Sequence, residues 1–212
     1  MVKLTPKRAV IFDDQRLFSE SFCVALLRLG MFDDVSVVLS DGELAGRLRN
    51  EEKEEIYFFV SASIRKINVF HLVEETRRIF PAVTIIFCMN SENYGVISRV
   101  QRLEANAIIS KRDSFGDLKK CLERIGEKAL ICSPSIEAVI HTAETEGVCY
   151  FTAREIEVLF LLYEGKNTEQ IAGIMHLSRH TIATHKRNMM TKSNTRSMGE
   201  LLAFARRYFD IT

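Results

Sequence analysis

Apolar residues in the first part of the chain gather into short runs at Arg8–Phe12, Val35–Leu39, Ile56–Val60, Val83–Cys88 and Ala107–Ile109. Runs of this length and β-rich composition predict strands. Between them, apolar positions recur at helical spacing over Leu17–Leu29, Asp41–Asn50, Val69–Phe80, Tyr94–Leu103 and Asp117–Lys128. Strands alternating with helices predict βα units around a parallel sheet, five of each, in a doubly wound domain. Residues 129–150 break that rhythm. There Ser133-Pro134-Ser135 is expected to start a connecting helix through His141, and Ala143–Gly147 reads as a polar connector. From Phe151 onward the pattern is helical only. The expected domains are therefore 1–128 and 151–212, joined by a linker at 129–150.

The last segment carries its own punctuation. Thr152 and Glu155 have capping-box spacing, so the hydroxyl can accept from the third helical N–H while the carboxylate reaches back. Ile156, Leu159, Leu162 and Tyr163 then share one face, and Gly165 ends the helix. Asn167 starts a second helix with Ile171, Ala172, Ile174 and Met175 expected on its buried side. Leu177-Ser178 makes a short turn, and Ser178 caps a third helix that turns Ile182 and Met189 inward. Its outer face would present Arg179, His180, Ala183, Thr184, Arg187 and Asn188. A final helix from about Met198 to Tyr208 carries a stripe of Leu201, Leu202 and Ala205. Two short helices across a tight turn, the second polar and basic outside, suit either a major-groove reader or an ordinary helical bundle.

Charge sharpens that choice only partly. The net charge of the 212 residues is +1, but residues 151–212 hold nine Lys/Arg against six Asp/Glu. From Ser178 to Gly199 there are five basic side chains (Arg179, Lys186, Arg187, Lys192, Arg196) and no acidic one. Such a stretch is either a phosphate-facing surface or a solvated basic face. In the first case Arg187 suits guanine or phosphate, and Thr184 suits a base edge or thymine methyl. Lys186, Lys192 and His185 would then be placed for backbone contacts, with Thr181 near them. The five cysteines (Cys23, Cys88, Cys121, Cys132, Cys149) are scattered without C-x-x-C spacing, which fits reduced thiols in a cytoplasm. No signal peptide, membrane span, repeat, metal site or cofactor motif is expected. His71 and His141 have no nucleophile or carboxylate at informative spacing, so an enzyme is not expected either.

The stretch FTAREIEVLFLLYEGKNTEQIAGIMHLSRHTIATHKRNMMTKSN resembles the DNA-binding domain of the LuxR/NarL/FixJ family. The family's L-T-x-R-E-x-E-V-L start is matched from Phe151 to Leu159. Its G-x-x-x-x-x-I-A pattern falls on Gly165–Ala172, and L-S-x-x-T-V-x-x-H on Leu177–His185. Three positions depart from the family. Ala183 stands where a base-facing lysine is common, so no operator sequence carries over. Ser193 and Asn194 replace a Leu-Gly pair and are expected to soften the end of the recognition helix. The family commonly pairs subunits through its last helix; the Leu201 stripe serves that pairing or burial within the domain.

Residues 8–128 are similar to a response-regulator receiver, which implies a flavodoxin-like (βα)5 fold. Asp13-Asp14 after the first strand matches the family's acidic pair, and Lys111 after the fifth matches its lysine. By themselves a carboxylate pair and a lysine read as solvated surface. The resemblance places the phosphate-accepting aspartate at the end of the third strand, where this chain has Ser61. No Asp or Glu occurs between Glu55 and Glu74, so the absence survives any local misalignment. Cys88 stands at the usual Thr/Ser of strand four, and the loop after strand three is basic at Arg65 and Lys66. Asp13 and Lys111 are expected to form an ion pair, the ammonium replacing a metal's charge.

The expected function is a DNA-binding transcriptional regulator, binding double-stranded DNA as a homodimer and not controlled by aspartyl phosphorylation. The alternative is an auxiliary subunit that regulates only as a heterodimer with another regulator. RNA polymerase is a further expected partner.

Overall fold

Six strands form one all-parallel sheet in the order β2-β1-β3-β4-β5-β6. They are β1 (Lys7–Phe12), β2 (Asp34–Val38), β3 (Glu55–Ser61), β4 (Thr84–Met89), β5 (Ala107–Ser110) and β6 (Ile131–Cys132). Between them run α1 (Arg16–Arg28), α2 (Asp41–Leu48), α3 (Val69–Ile79), α4 (Tyr94–Gln101) and α5 (Phe115–Glu123). After β6 come α6 (Pro134–Thr145), α7 (Ala153–Tyr163), α8 (Thr168–Met175), α9 (Arg179–Lys192) and α10 (Met198–Tyr208). This computed structural model describes residues 5–49, 54–64, 68–90, 93–145 and 151–208. Two compact units emerge, one of residues 1–92 with 100–138, the other of 93–99 with 139–212.

In the first unit, side chains alternate across the sheet as the two-residue strand period requires. Ala9, Ile11, Phe59, Ile86, Cys88, Ala107 and Ile109 join Leu26 of α1 and Leu118 and Leu122 of α5 in one core. The intervening residues Val10, Phe58, Val60, Ile85, Phe87 and Ile108 are buried as well. Burial on both faces is why these strands read as continuous apolar runs. Helix starts are fixed locally: Ser40, Asn68 and Ser114 accept from the backbone N–H three residues on. The five expected strands and helices are all present, although α5 stops at Glu123 and the chain turns through Gly126 at φ +100°.

The segment expected as a linker supplies more structure than its pattern suggested. Ile131 and Cys132 add a sixth strand beside β5, and Ser133 Oγ accepts from Ser110 N at 2.9 Å. Asp113 then holds both the amide and the hydroxyl of Ser135, at the first turn of α6. Pro134 opens that helix, where its missing N–H costs nothing. The helix passes the expected end at His141 and runs to Thr145.

In the second unit, α7, α8, α9 and α10 enclose Phe151, Ile156, Leu159, Ile171, Ile182, Met189, Leu201 and Ala205. The Thr152–Glu155 capping box forms as its spacing implies. Gly165, at φ +78°, ends α7 where Lys166 N reaches back to Leu161 O at 3.0 Å. Ile174, expected to face inward, is instead exposed. Among the described residues, no helix is long and apolar enough to cross a membrane. Cys23, Cys88, Cys121 and Cys132 are free thiols; Cys149, Arg65 and Lys66 lie outside the described residues.

Candidate nucleic-acid interface and receiver-like site

Helix α9 presents two faces of opposite character. Ile182 and Met189, seven residues apart, are fully buried, while Arg179, His180, Ala183, Arg187, Asn188 and Thr191 are exposed. Arg179, Ala183 and Arg187 follow one another at four-residue spacing, so they line one stripe. The start of α9 is set by Ser178, whose Oγ accepts from Thr181 N at 3.0 Å. The turn before it places His176 in the left-handed region at φ 54° and closes with Leu177 N on Ala172 O. Asn167 and Gln170 form a second capping box on α8, which the N-x-x-Q spacing could have revealed.

The other proposed DNA-facing side chains are partly engaged within the domain. Arg179 pairs with Glu169 across the helix-turn-helix. The Thr181 hydroxyl lies 2.8 Å from Ser178 Oγ, and Thr184 Oγ1 donates to His180 O. Lys186 Nζ donates to Thr168 Oγ1 at 3.2 Å, and His185 is half-buried. Lys192, expected to face phosphates, donates to Glu155 Oε2 at 2.7 Å. The same oxygen accepts from Thr152 N, also at 2.7 Å. A carboxylate buried to this depth is costly unless paired, and Lys192 supplies the charge. Burial pushes the Glu155 carboxyl up, but the bonds from Lys192 and Thr152 outweigh it and hold the group below the usual carboxylate value.

One expectation about this unit is corrected, and one left open by the sequence is decided. Asn194 takes the left-handed position at φ 52°, and Thr195 N bonds Met190 O at 2.9 Å, so the end of α9 is closed rather than softened. Ser193 Oγ adds a bond to Met189 O at 2.7 Å. On α10, Leu201 and Ala205 are fully buried in the domain's own core, which leaves only Leu202 of that stripe partly accessible.

In the other unit, the residues of the receiver-like site meet at the carboxyl ends of the strands. Ser61 ends β3 in register with Cys88 of β4, and Asp13 and Lys111 follow β1 and β5. Lys111 N bonds Met89 O at 2.9 Å, which fixes its backbone to the neighbouring strand. Its ammonium lies 2.5 Å from Asp13 Oδ2, 3.4 Å from Ser61 Oγ and 4.0 Å from the centre of the Phe18 ring. Asp13 Oδ1 accepts from Gln15 N at 2.8 Å, so both its oxygens are engaged. Asp14 is exposed. Cys88 is buried, and burial pushes its thiol up to about 12 despite the opposing charge of Lys111. Nothing in the spacing of the sequence marked Phe18 as the cover of the lysine.

A receiver fold implies a divalent cation at this corner. The donor set does not fit one: Asp13 is occupied by an ammonium, and Ser61 brings a neutral hydroxyl where a carboxylate ligand is needed. Among the described residues, no group of three or more His, Cys, Asp or Glu side chains could hold a metal ion.

Residues 150–205 match the profile of bacterial regulatory proteins of the luxR family. They form a LuxR-family domain. The match covers the capped α7, the helix-turn-helix and most of α10. Over nearly its whole length, the chain is 23% identical over 205 residues to the DNA-binding transcriptional activator EvgA of Escherichia coli K12, covering 94% of this chain and 97% of that one. It is 26% identical over 141 residues to the Fimbriae Z protein of Salmonella typhimurium LT2, covering 65% and 67%. Among solved structures, the two-component response regulator RcsB in complex with DNA shares the fold at a TM-score of 0.64 and 20% identity, over 95% of this chain and 98% of that one. The flavodoxin-like receiver fold followed by a LuxR-family helix-turn-helix domain is therefore the architecture of this chain.

Proposed function

We propose that this chain is a DNA-binding transcriptional regulator that inserts α9 into the major groove and acts in the cytoplasm as a homodimer. The observation that carries the reading is the exposed Arg179–Ala183–Arg187 stripe on a helix capped at its start and anchored by Ile182 and Met189. That arrangement gives a rigid element with a polar outer face, as groove readers require. The LuxR-family match and the DNA-binding relative support it. In this reading residues 1–128 receive the input, 151–212 read DNA, and 129–150 connect them. RNA polymerase would be contacted by the DNA-bound form.

The input is not aspartyl phosphorylation. Ser61 has no carboxylate to form an acyl phosphate, and the Lys111–Asp13 pair already occupies the corner. A second reading, an auxiliary subunit acting in a heterodimer, is favoured by the pairing of Arg179, Lys186 and Lys192 inside the domain, which engages much of the basic charge of α9.

Titration of the purified chain with genomic fragments at two salt concentrations tests the first reading. Sequence-selective binding that weakens steeply with salt is expected, and Arg187→Ala should lower affinity by about tenfold with an unchanged thermal melt. Binding only in the presence of another regulator would support the heterodimer. After acetyl phosphate treatment, intact-mass measurement should show no added phosphate; an added phosphate would sink the claim about input.

A further inference from the structure

A cavity of about 190 Å³ opens beside Lys111, within the receiver-like unit. Its walls are mainly apolar: Phe18 and Phe22 from α1, Ile109 from β5, and Phe115 and Leu118 from α5. Lys111 lines it too, with a side chain only 9% exposed. An ammonium carries three N–H donors. Here two directions end on oxygen, a short one on Asp13 and a long one on Ser61, while the ammonium also lies over the Phe18 ring. A cation–π contact is weaker than a hydrogen bond from an ammonium to an oxygen acceptor. An acceptor entering from the cavity can therefore displace the ring and gain by it.

Volume and charge narrow the ligand. An apolar cavity of about 150 Å³ admits benzene, whereas drug-sized molecules need roughly 300 Å³ or more. The space suits one ring or a branched chain with a small head group. The charge of Lys111 is already balanced by Asp13, and the carboxylate of Asp113 also lines the cavity. A carboxylate on the ligand would add an unbalanced negative charge beside two others, so a neutral acceptor is favoured. The Cys88 thiol at the wall is protonated at neutral pH, which leaves capture non-covalent.

We infer that this cavity is a binding site for a small neutral molecule with an aromatic or branched apolar body and one carbonyl oxygen, which bonds to Lys111. The inference rests on the reading that the corner receives no phosphoryl group, and it names the input that would replace one.

The test is an amide-resolved NMR titration of the full chain with benzamide, benzoate and toluene. Benzamide should give saturable shifts at Ile109, Ser110 and Leu118, with benzoate at least about tenfold weaker despite the same shape. Lys111→Met should remove the preference of benzamide over toluene, a change of about tenfold. Leu118→Phe, which fills the cavity and leaves the ion pair intact, should abolish binding of all three, and it decides the matter should Lys111→Met fail to fold. Absence of saturable shifts, equal affinity for benzoate, or binding unchanged by Leu118→Phe would overturn the inference. DNA titration and the acetyl phosphate experiment report on the functional reading separately, so either can fail without the other.

Discussion

Each unit contains a lysine–carboxylate pair whose acid is almost fully buried, and the two pairs do different things. In the receiver-like unit, Lys111 is 9% exposed and reaches Asp13 from a strand end on the far side of β3 and β4. In the LuxR-family domain, Lys192 is 35% exposed and reaches Glu155 from the last turn of α9. The first pair closes the corner where a receiver fold would hold a cation. The second ties the end of the proposed recognition helix to the capping box of α7, and so fixes the position of that helix. The same two chemical groups yield a closed site or a positioned helix according to what surrounds them.

The largest effect is expected at the deeper pair. Lys111→Met strands the Asp13 carboxylate and should cost the receiver-like unit about 3–5 kcal/mol in urea unfolding, whereas Asp13→Leu/Lys111→Met should recover most of that. If the single variant costs no more than Lys192→Met, the contrast drawn from depth of burial fails. Lys192→Met should cost about 1–3 kcal/mol. It should also weaken DNA binding while leaving the salt slope unchanged, because the lysine positions α9. A slope smaller by about one would place Lys192 on a phosphate instead.

Acid should act on the pair in the LuxR-family domain. The Glu155 carboxyl is held below its ordinary value of 4.5. A lowered folded value means the stabilisation is complete above 4.5 and is lost as pH falls through the folded value. The urea midpoint of the LuxR-family domain should therefore drop as the pH falls below 4.5, and Glu155→Gln should flatten that drop. The smallest effect belongs to Asn194→Gly. At φ 52° the glycine is relieved of the left-handed penalty, and a gain of at most about 1 kcal/mol is expected in the same assay.

The legible parts of the chain were those specified by nearby residues. Strands β1, β3, β4 and β5 are plain in the sequence because burial on both faces leaves no polar alternation to obscure them. The caps at Thr152, Asn167 and Ser178 were readable because their chemistry acts over two or three residues. What was missed depended on distance or brevity. Strand β6 has two residues, too few for a period to show, and only its pairing with β5 defines it. Lys192 read as a surface cation because its partner lies 37 residues away. The Leu201 stripe is ambiguous in sequence, because apolar side chains suit a core or a partner equally, and only the packing of α10 puts Leu201 and Ala205 in the core. Ser61 shows the opposite case: an absent carboxylate is visible in the sequence, but what replaces it in space is not.

The contact between Lys111 and Asp13 spans 98 residues of chain. In the finished sheet β3 and β4 lie between the strands that carry its two ends. Closing so long a loop is slow, and non-local contacts of this kind are made late in parallel sheets. The pair is thus expected to form late in folding. Its loss should accelerate unfolding of the receiver-like unit and leave the rate of folding nearly unchanged, which stopped-flow measurements on Lys111→Met would reveal.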